Sequence, residues 1–207
     1  MAANELTLPA VSDGPFISNR ALGILGMLFA PCLYLGWFFH APVPDAPKEH
    51  PLMASLFGLL YLSGALASAV ALRRTRVTGN GKGAAILFVV QAVGLVLAMG
   101  FDVLEYTVPH IRSTSVLFII TDIAYPFSHV LMIIVGIAIW RAKIWSGWRL
   151  LPAFLVGFAL PSFFTAMAFI GRDNGGWFFI GGVTVGWFLL GLSVLTSSSS
   201  VRPGGKA

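Results

Sequence analysis

The sequence predicts an all-α, polytopic integral membrane protein: a bundle of six transmembrane helices with both termini in the cytoplasm. Three observations carry this reading. Apolar residues fill 57% of the 207 positions and charged residues only 10%, with a mean hydropathy of +0.86, whereas a soluble domain carries about 25% charged residues. Six separate apolar stretches each approach the ~20 residues that a helix needs to cross a hydrocarbon core of ~30 Å. Finally, the basic residues are unevenly divided between the connections, ten on one side against three on the other.

Residues 1–20 read as a cytoplasmic N-terminal arm. Glu5, Pro9, Asp13 and Pro15 interrupt any apolar core, and no Lys or Arg precedes Arg20, so a cleavable signal peptide is not expected; an interfacial turn is expected near Phe16. The spans are predicted at residues 21–39, 52–72, 84–106, 115–140, 151–170 and 177–196, which together make a transmembrane domain over 21–196. The fifth and sixth are separated by little more than "GRDNG", a Gly-rich turn. Residues 197–207 begin with a serine run followed by "VRPGG", the low-complexity composition of a disordered cytoplasmic tail.

Direction follows from the cations, because cytoplasmic connections carry an excess of Lys and Arg. One side holds Arg20, the cluster from Arg73 to Lys82, Arg141, Lys143, Arg149, Arg202 and Lys206. The other holds Lys48, Arg112 and Arg172. The first side is expected to be the cytoplasmic face of a bacterial-type membrane. The same bias explains a net charge of +5 without nucleic acid, for which no basic helix interleaved with aromatics is present. Trp37 and Trp177 at one boundary, with Trp140, Trp145 and Trp148 at the other, read as interfacial belts. Cys32 is the sole cysteine, which excludes an intrachain disulfide.

Gly182 with Gly186, and Gly64 with Ser68, are small-xxx-small pairs that allow close helix packing. Pro31, Pro126 and Pro161 lie near the middle of spans one, four and five. A division into three plus three spans would make an inverted repeat, with Pro31 and Pro126 at similar depth.

The fourth span, "SVLFIITDIAYPFSHVLMIIVGIAIW", contains the costliest residues. An acid at the centre of a spanning helix costs ~2.5–3.5 kcal/mol on insertion scales, so Asp122 must pair, protonate or meet water. At about 100° per residue, Asp122, Pro126 and His129 share one face, with Tyr125 about 60° away. Pro126 has no N–H, so the Asp122 carbonyl loses its helical partner. In the third span Gln91, Ala98, Asp102 and Glu105 fall on one face. His40, His50, His110 and Arg112 lie in the connections on the same side as Asp102 and Glu105. The expectation is a polar vestibule facing outward, bounded by Asp102 and Glu105, floored by Asp122, with His129 deeper. Asp122 and His129 are ~10 Å apart along the helix, so exchange of a proton between them requires water or Tyr125.

Four function classes compete. Ionisable groups inside a bundle beside a proline suit translocation of protons, ions or small molecules, with Asp122, His129, Tyr125, Asp102, Glu105 and Gln91 as candidate relay residues. Short connections without a soluble domain equally suit a non-catalytic subunit or receptor of a larger membrane complex, or a homo-oligomer. A membrane-embedded metal-dependent enzyme would take zinc from His40, His50 and His110 with an acid. No serine-hydrolase elbow or zincin motif is present, so an enzyme ranks below the first two. A b-type haem needs axial ligands on facing helices; only His129 lies well inside a span, leaving Cys32 or a Met as its partner.

Overall fold

The computed structural model describes residues 17–40, 51–108 and 115–198, apart from the side chains of His40, Pro51, residues 172–174 and Ser198. Among the described residues the fold is all-helical: α1 (Asn19–Phe29), α2 (Cys32–His40), α3 (Pro51–Arg74), α4 (Lys82–Thr107), α5 (Val116–Ala142), a short 3-10 turn (Gly147–Leu150), α6 (Leu151–Ile170) and α7 (Arg172–Ser198). Six helical stretches are long and apolar enough to cross a membrane: Asn19–Phe39, Leu52–Arg74, Lys82–Thr107, Val116–Ala142, Gly147–Ile170 and Gly175–Ser197. They match the predicted stretches to within a few residues. The arm before residue 17, the loops at 41–50 and 109–114 and the tail beyond 198 lie outside the described residues. α7 runs two residues into the stretch expected to be disordered.

Local chemistry sets the helix ends. The hydroxyls of Ser18 and Ser115 accept from the backbone N–H groups of Ala21 and Phe118 at 3.1 and 3.2 Å, each satisfying a donor that the first turn leaves open. α5 stops where Lys143 turns left-handed, at φ 54°, and Pro152 in the first turn of α6 costs no hydrogen bond there. Between α6 and α7 the reversal is tighter than the expected five-residue turn. Gly171 takes it up alone at φ 85°, a conformation that disfavours any side chain.

The three mid-span prolines behave differently. Pro31 divides the first span into α1 and α2, with Tyr34 N–H bonding back to the Pro31 carbonyl at 3.0 Å. Pro126 and Pro161 lie inside continuous helices. The first helices of the two halves therefore differ at the very feature that suggested an inverted repeat.

Helices adjacent in sequence are adjacent in space, and α7 closes the ring against α1; α3 and α7 also touch. Close glycine contacts show that neighbours run antiparallel. A Cβ on Gly191 would stand 2.7 Å from the Gly23 carbonyl and 2.8 Å from the Met27 nitrogen, and one on Gly186 would stand 2.6 Å from a Val156 methyl. Gly64 seats the Cβ of Phe29, and Gly26 meets the Ser68 side chain. Both predicted small-residue pairs thus serve contacts within the chain, Gly182 and Gly186 against α6 and Gly64 and Ser68 against α1.

The antiparallel ring collects Arg20, Arg73, Arg74, Arg76, Lys82, Arg141, Lys143 and Arg149 at one end, here called the basic end. The interior of the half next to it is apolar. Leu72, Val77, Met132, Val135, Ile139, Leu190 and Val194 are all buried there. The opposite half is not filled, and the unusual side chains gather there.

Candidate functional site

A cavity of about 200 Å³ lies in the half of the bundle away from the basic end. Five helices wall it. α2 contributes Leu33, Gly36 and Trp37; α3 contributes Ala54, Gly58 and Tyr61; α4 contributes Phe101, Asp102 and Glu105; α5 contributes Asp122 and Tyr125; and α7 contributes Phe179 and Ile180. Asp102, Glu105, Asp122 and Tyr125, proposed from helical periodicity alone, stand around this single space. Asp102 and Asp122 are ~8–9 Å from the nearer ends of their helices at 1.5 Å per residue.

The two aspartates differ in setting. Asp122 is exposed, at the rim of the cavity and not at its floor. Asp102 is half-buried, and its Oδ2 is covered and has no hydrogen-bond partner. Its carboxyl rests against the backbone of Gly58, where a Cβ would stand 2.5 Å from Oδ2 and 2.7 Å from Oδ1. The missing side chain at position 58 is what allows the carboxyl to sit between α3 and α4. Glu105 follows one turn later on the same face.

The floor is aromatic. Tyr61, completely buried, reaches across to α5, and its hydroxyl lies 2.6 Å from His129 Nε2. His129 Nδ1 lies 2.7 Å from the Tyr125 carbonyl. A carbonyl only accepts, so Nδ1 carries the proton; Nε2 of the neutral ring then accepts, and Tyr61 donates. The imidazole is nearly parallel to the Tyr61 ring, at 9° with centroids 6.2 Å apart, and packs against Tyr125 and Phe179 at 4.7 and 5.6 Å. His129 is wholly buried beneath the cavity, behind the lining residues Tyr61, Tyr125 and Phe179. The Tyr125 hydroxyl neighbours the Tyr61 hydroxyl. The polar side chains that join the cavity to His129 are therefore Tyr61 and Tyr125, both of which line it. The indole N–H of Trp187 is buried beside Tyr61.

Gln91 is buried on the same face as Asp102 but does not reach the cavity. Its Nε2 donates to the Ser128 carbonyl at 3.1 Å, tying α4 to α5, while its Oε1 has no partner. The hydroxyl of Ser128 bonds back to Tyr125 at 2.8 Å, and Thr165 likewise to Pro161 at 3.0 Å, as hydroxyls in apolar helices commonly do.

For the cofactor expectations, His50, His110 and Arg112 lie outside the described residues, as does the side chain of His40. Among the described residues no group of three or more His, Cys, Asp or Glu is placed to hold a metal ion. Both ring nitrogens of His129 are engaged, so neither is presented as an axial haem ligand, and Cys32 is buried in the apolar core.

Periodicity missed several of the residues that shape the cavity. Tyr61, Gly58, Phe101 and Phe179 drew no attention, and Trp37 read as a belt residue although it lines the cavity and lies against Gly176 at 3.2 Å. Tyr61 did carry a signal: a phenol in mid-span must find a hydrogen-bond partner just as an acid must. Compared with protein families, curated proteins and solved structures, the chain matches none.

Proposed function

We propose that the chain is an integral membrane protein with both termini cytoplasmic, and that it takes up a proton, ion or small molecule from the opposite side for translocation. The observation that carries this reading is the one-sided cavity, which brings Asp102, Glu105 and Asp122 around one space above a Tyr61–His129 hydrogen bond. Carboxyls gathered in the interior of an apolar bundle are costly and mark solute or proton pathways. Membrane insertion is supported by the apolar exterior: Leu28, Val89, Ile123, Ile134, Phe158 and Phe178 are all exposed, far more apolar surface than a soluble monomer carries. The segregated cations support the orientation.

The apolar interior of the basic half favours a second reading. A path across the bundle would require Met132, Ile139, Leu190 and their neighbours to separate, whereas a receptor or subunit needs only the cavity. Proton-dependent flux in liposomes distinguishes the two. Asp122→Asn keeps the shape and removes the ionisation. Loss of flux in this variant, with folding unchanged, supports translocation. Full flux in the variant removes Asp122 from the pathway, and wild-type protein without flux for any ion leaves the receptor or subunit reading.

A further inference from the structure

We infer that the ligand of this cavity is an organic cation: an amine or quaternary ammonium with an apolar body about the size of one aromatic ring. The inference rests on reading the cavity as a solute site and names the chemistry it would select.

Charge comes first. Three carboxylic side chains line the cavity, and among the described residues no Lys, Arg or His does. Asp102 and Glu105, one turn apart on one helix, repel each other when both are ionised, and a cation between them relieves this. Asp102 Oδ2 is covered, without a partner, on a carboxyl seated against Gly58. The cavity wall thus includes a carboxyl whose one oxygen is packed between α3 and α4 without a hydrogen-bond partner.

The walls then decide which cation. A hard metal ion requires six or more oxygens, and no metal-holding group is present among the described residues. A bare proton needs no cavity. Instead the rest of the lining is apolar, with rings from Trp37, Tyr61, Phe101, Tyr125 and Phe179. Aromatic faces attract ammonium groups within ~6 Å, most strongly where water is excluded, and also pack the apolar body that carries the charge. The volume of about 200 Å³ exceeds the ~150 Å³ of an apolar cavity known to hold benzene. A single-ring or tetra-alkyl cation therefore fits.

The test uses full-length protein in detergent. Binding of benzyltrimethylammonium is followed by isothermal titration and by thermal shift, beside its uncharged isostere neopentylbenzene and beside sodium chloride of equal ionic strength. Saturable binding of the cation is expected, at least tenfold tighter than that of the isostere. Asp102→Asn should weaken it at least tenfold, and Phe179→Leu should weaken both probes. Glu105→Gln is the second charge variant should Asp102→Asn not fold. Equal binding of both probes, no saturable binding of the cation, or unchanged cation affinity in the folded charge variant each overturns the inference. The reading beneath it fails separately: cation binding without flux of any ion removes translocation and leaves the ligand class, whereas proton flux without cation binding does the reverse.

Discussion

Replacing Tyr61 by phenylalanine removes one oxygen atom from the centre of the bundle, and its effect follows from the surroundings of that atom. Tyr61 and His129 are both completely buried, 2.6 Å apart at the hydroxyl and Nε2. In Tyr61→Phe the imidazole keeps its bond to the Tyr125 carbonyl and loses the donor at its other nitrogen. Leaving a buried acceptor unmade costs about 1–3 kcal/mol. Interhelical hydrogen bonds measured in a membrane protein average only about 0.6 kcal/mol, with a maximum near 1.7, because the unfolded helices find other partners in the membrane. Here the imidazole is packed by the rings of Tyr61, Tyr125 and Phe179 and cannot turn toward another donor. The upper part of that range applies, so a loss of about 1–2 kcal/mol is expected. Unfolding in mixed micelles with rising SDS measures it, and His129→Leu alone and combined with Tyr61→Phe completes a double-mutant cycle. A coupling energy of at least ~1 kcal/mol is expected. A Tyr61→Phe protein within ~0.5 kcal/mol of wild type, or a cycle with no coupling, would refute the assignment of Tyr61 as donor to a neutral His129.

Three further outcomes are expected. Gly58→Ala puts a methyl where the Asp102 carboxyl now rests, 2.5 Å from Oδ2; the variant should fold, because one short side chain can swing into the cavity, and should bind benzyltrimethylammonium more weakly than wild type, as titration would show. Gly191→Leu forces α7 away from the backbone of α1 and should cost more than the ~1–3 kcal/mol typical of overpacking, since the atoms it meets at 2.7 and 2.8 Å are main-chain atoms of Gly23 and Met27; unchanged SDS resistance would contradict this packing. A single cysteine at position 48 or 112, in a Cys32→Ser background, should react with an impermeant maleimide from outside intact cells, and labelling only from the cytoplasmic side would reverse the proposed orientation.

Much of the architecture was legible along the chain because hydrophobic length, charge bias and helical period are local quantities. A run of some twenty apolar residues closes its own backbone hydrogen bonds only as a helix, so six such runs give six long helices with little freedom about where each begins. The 3.6-residue period likewise put Gln91, Ala98, Asp102 and Glu105 on one face of α4, which the structure turns inward. Three outcomes were decided only when the helices met. Pro31 and Pro126 are chemically the same residue, yet only the first divides its helix. Asp122 was expected at the cavity floor, but the tertiary arrangement leaves it exposed at the rim and covers Asp102 instead, since burial depends on what the opposing helix carries, and opposite Asp102 that is a glycine. The partner of His129 lies 68 residues away, beyond the reach of any local pattern. Helix formation is determined by neighbours in sequence. A cavity, its counter-charges and its hydrogen bonds are determined by which side chains fail to fill the space between helices, and that depends on all of the helices at once.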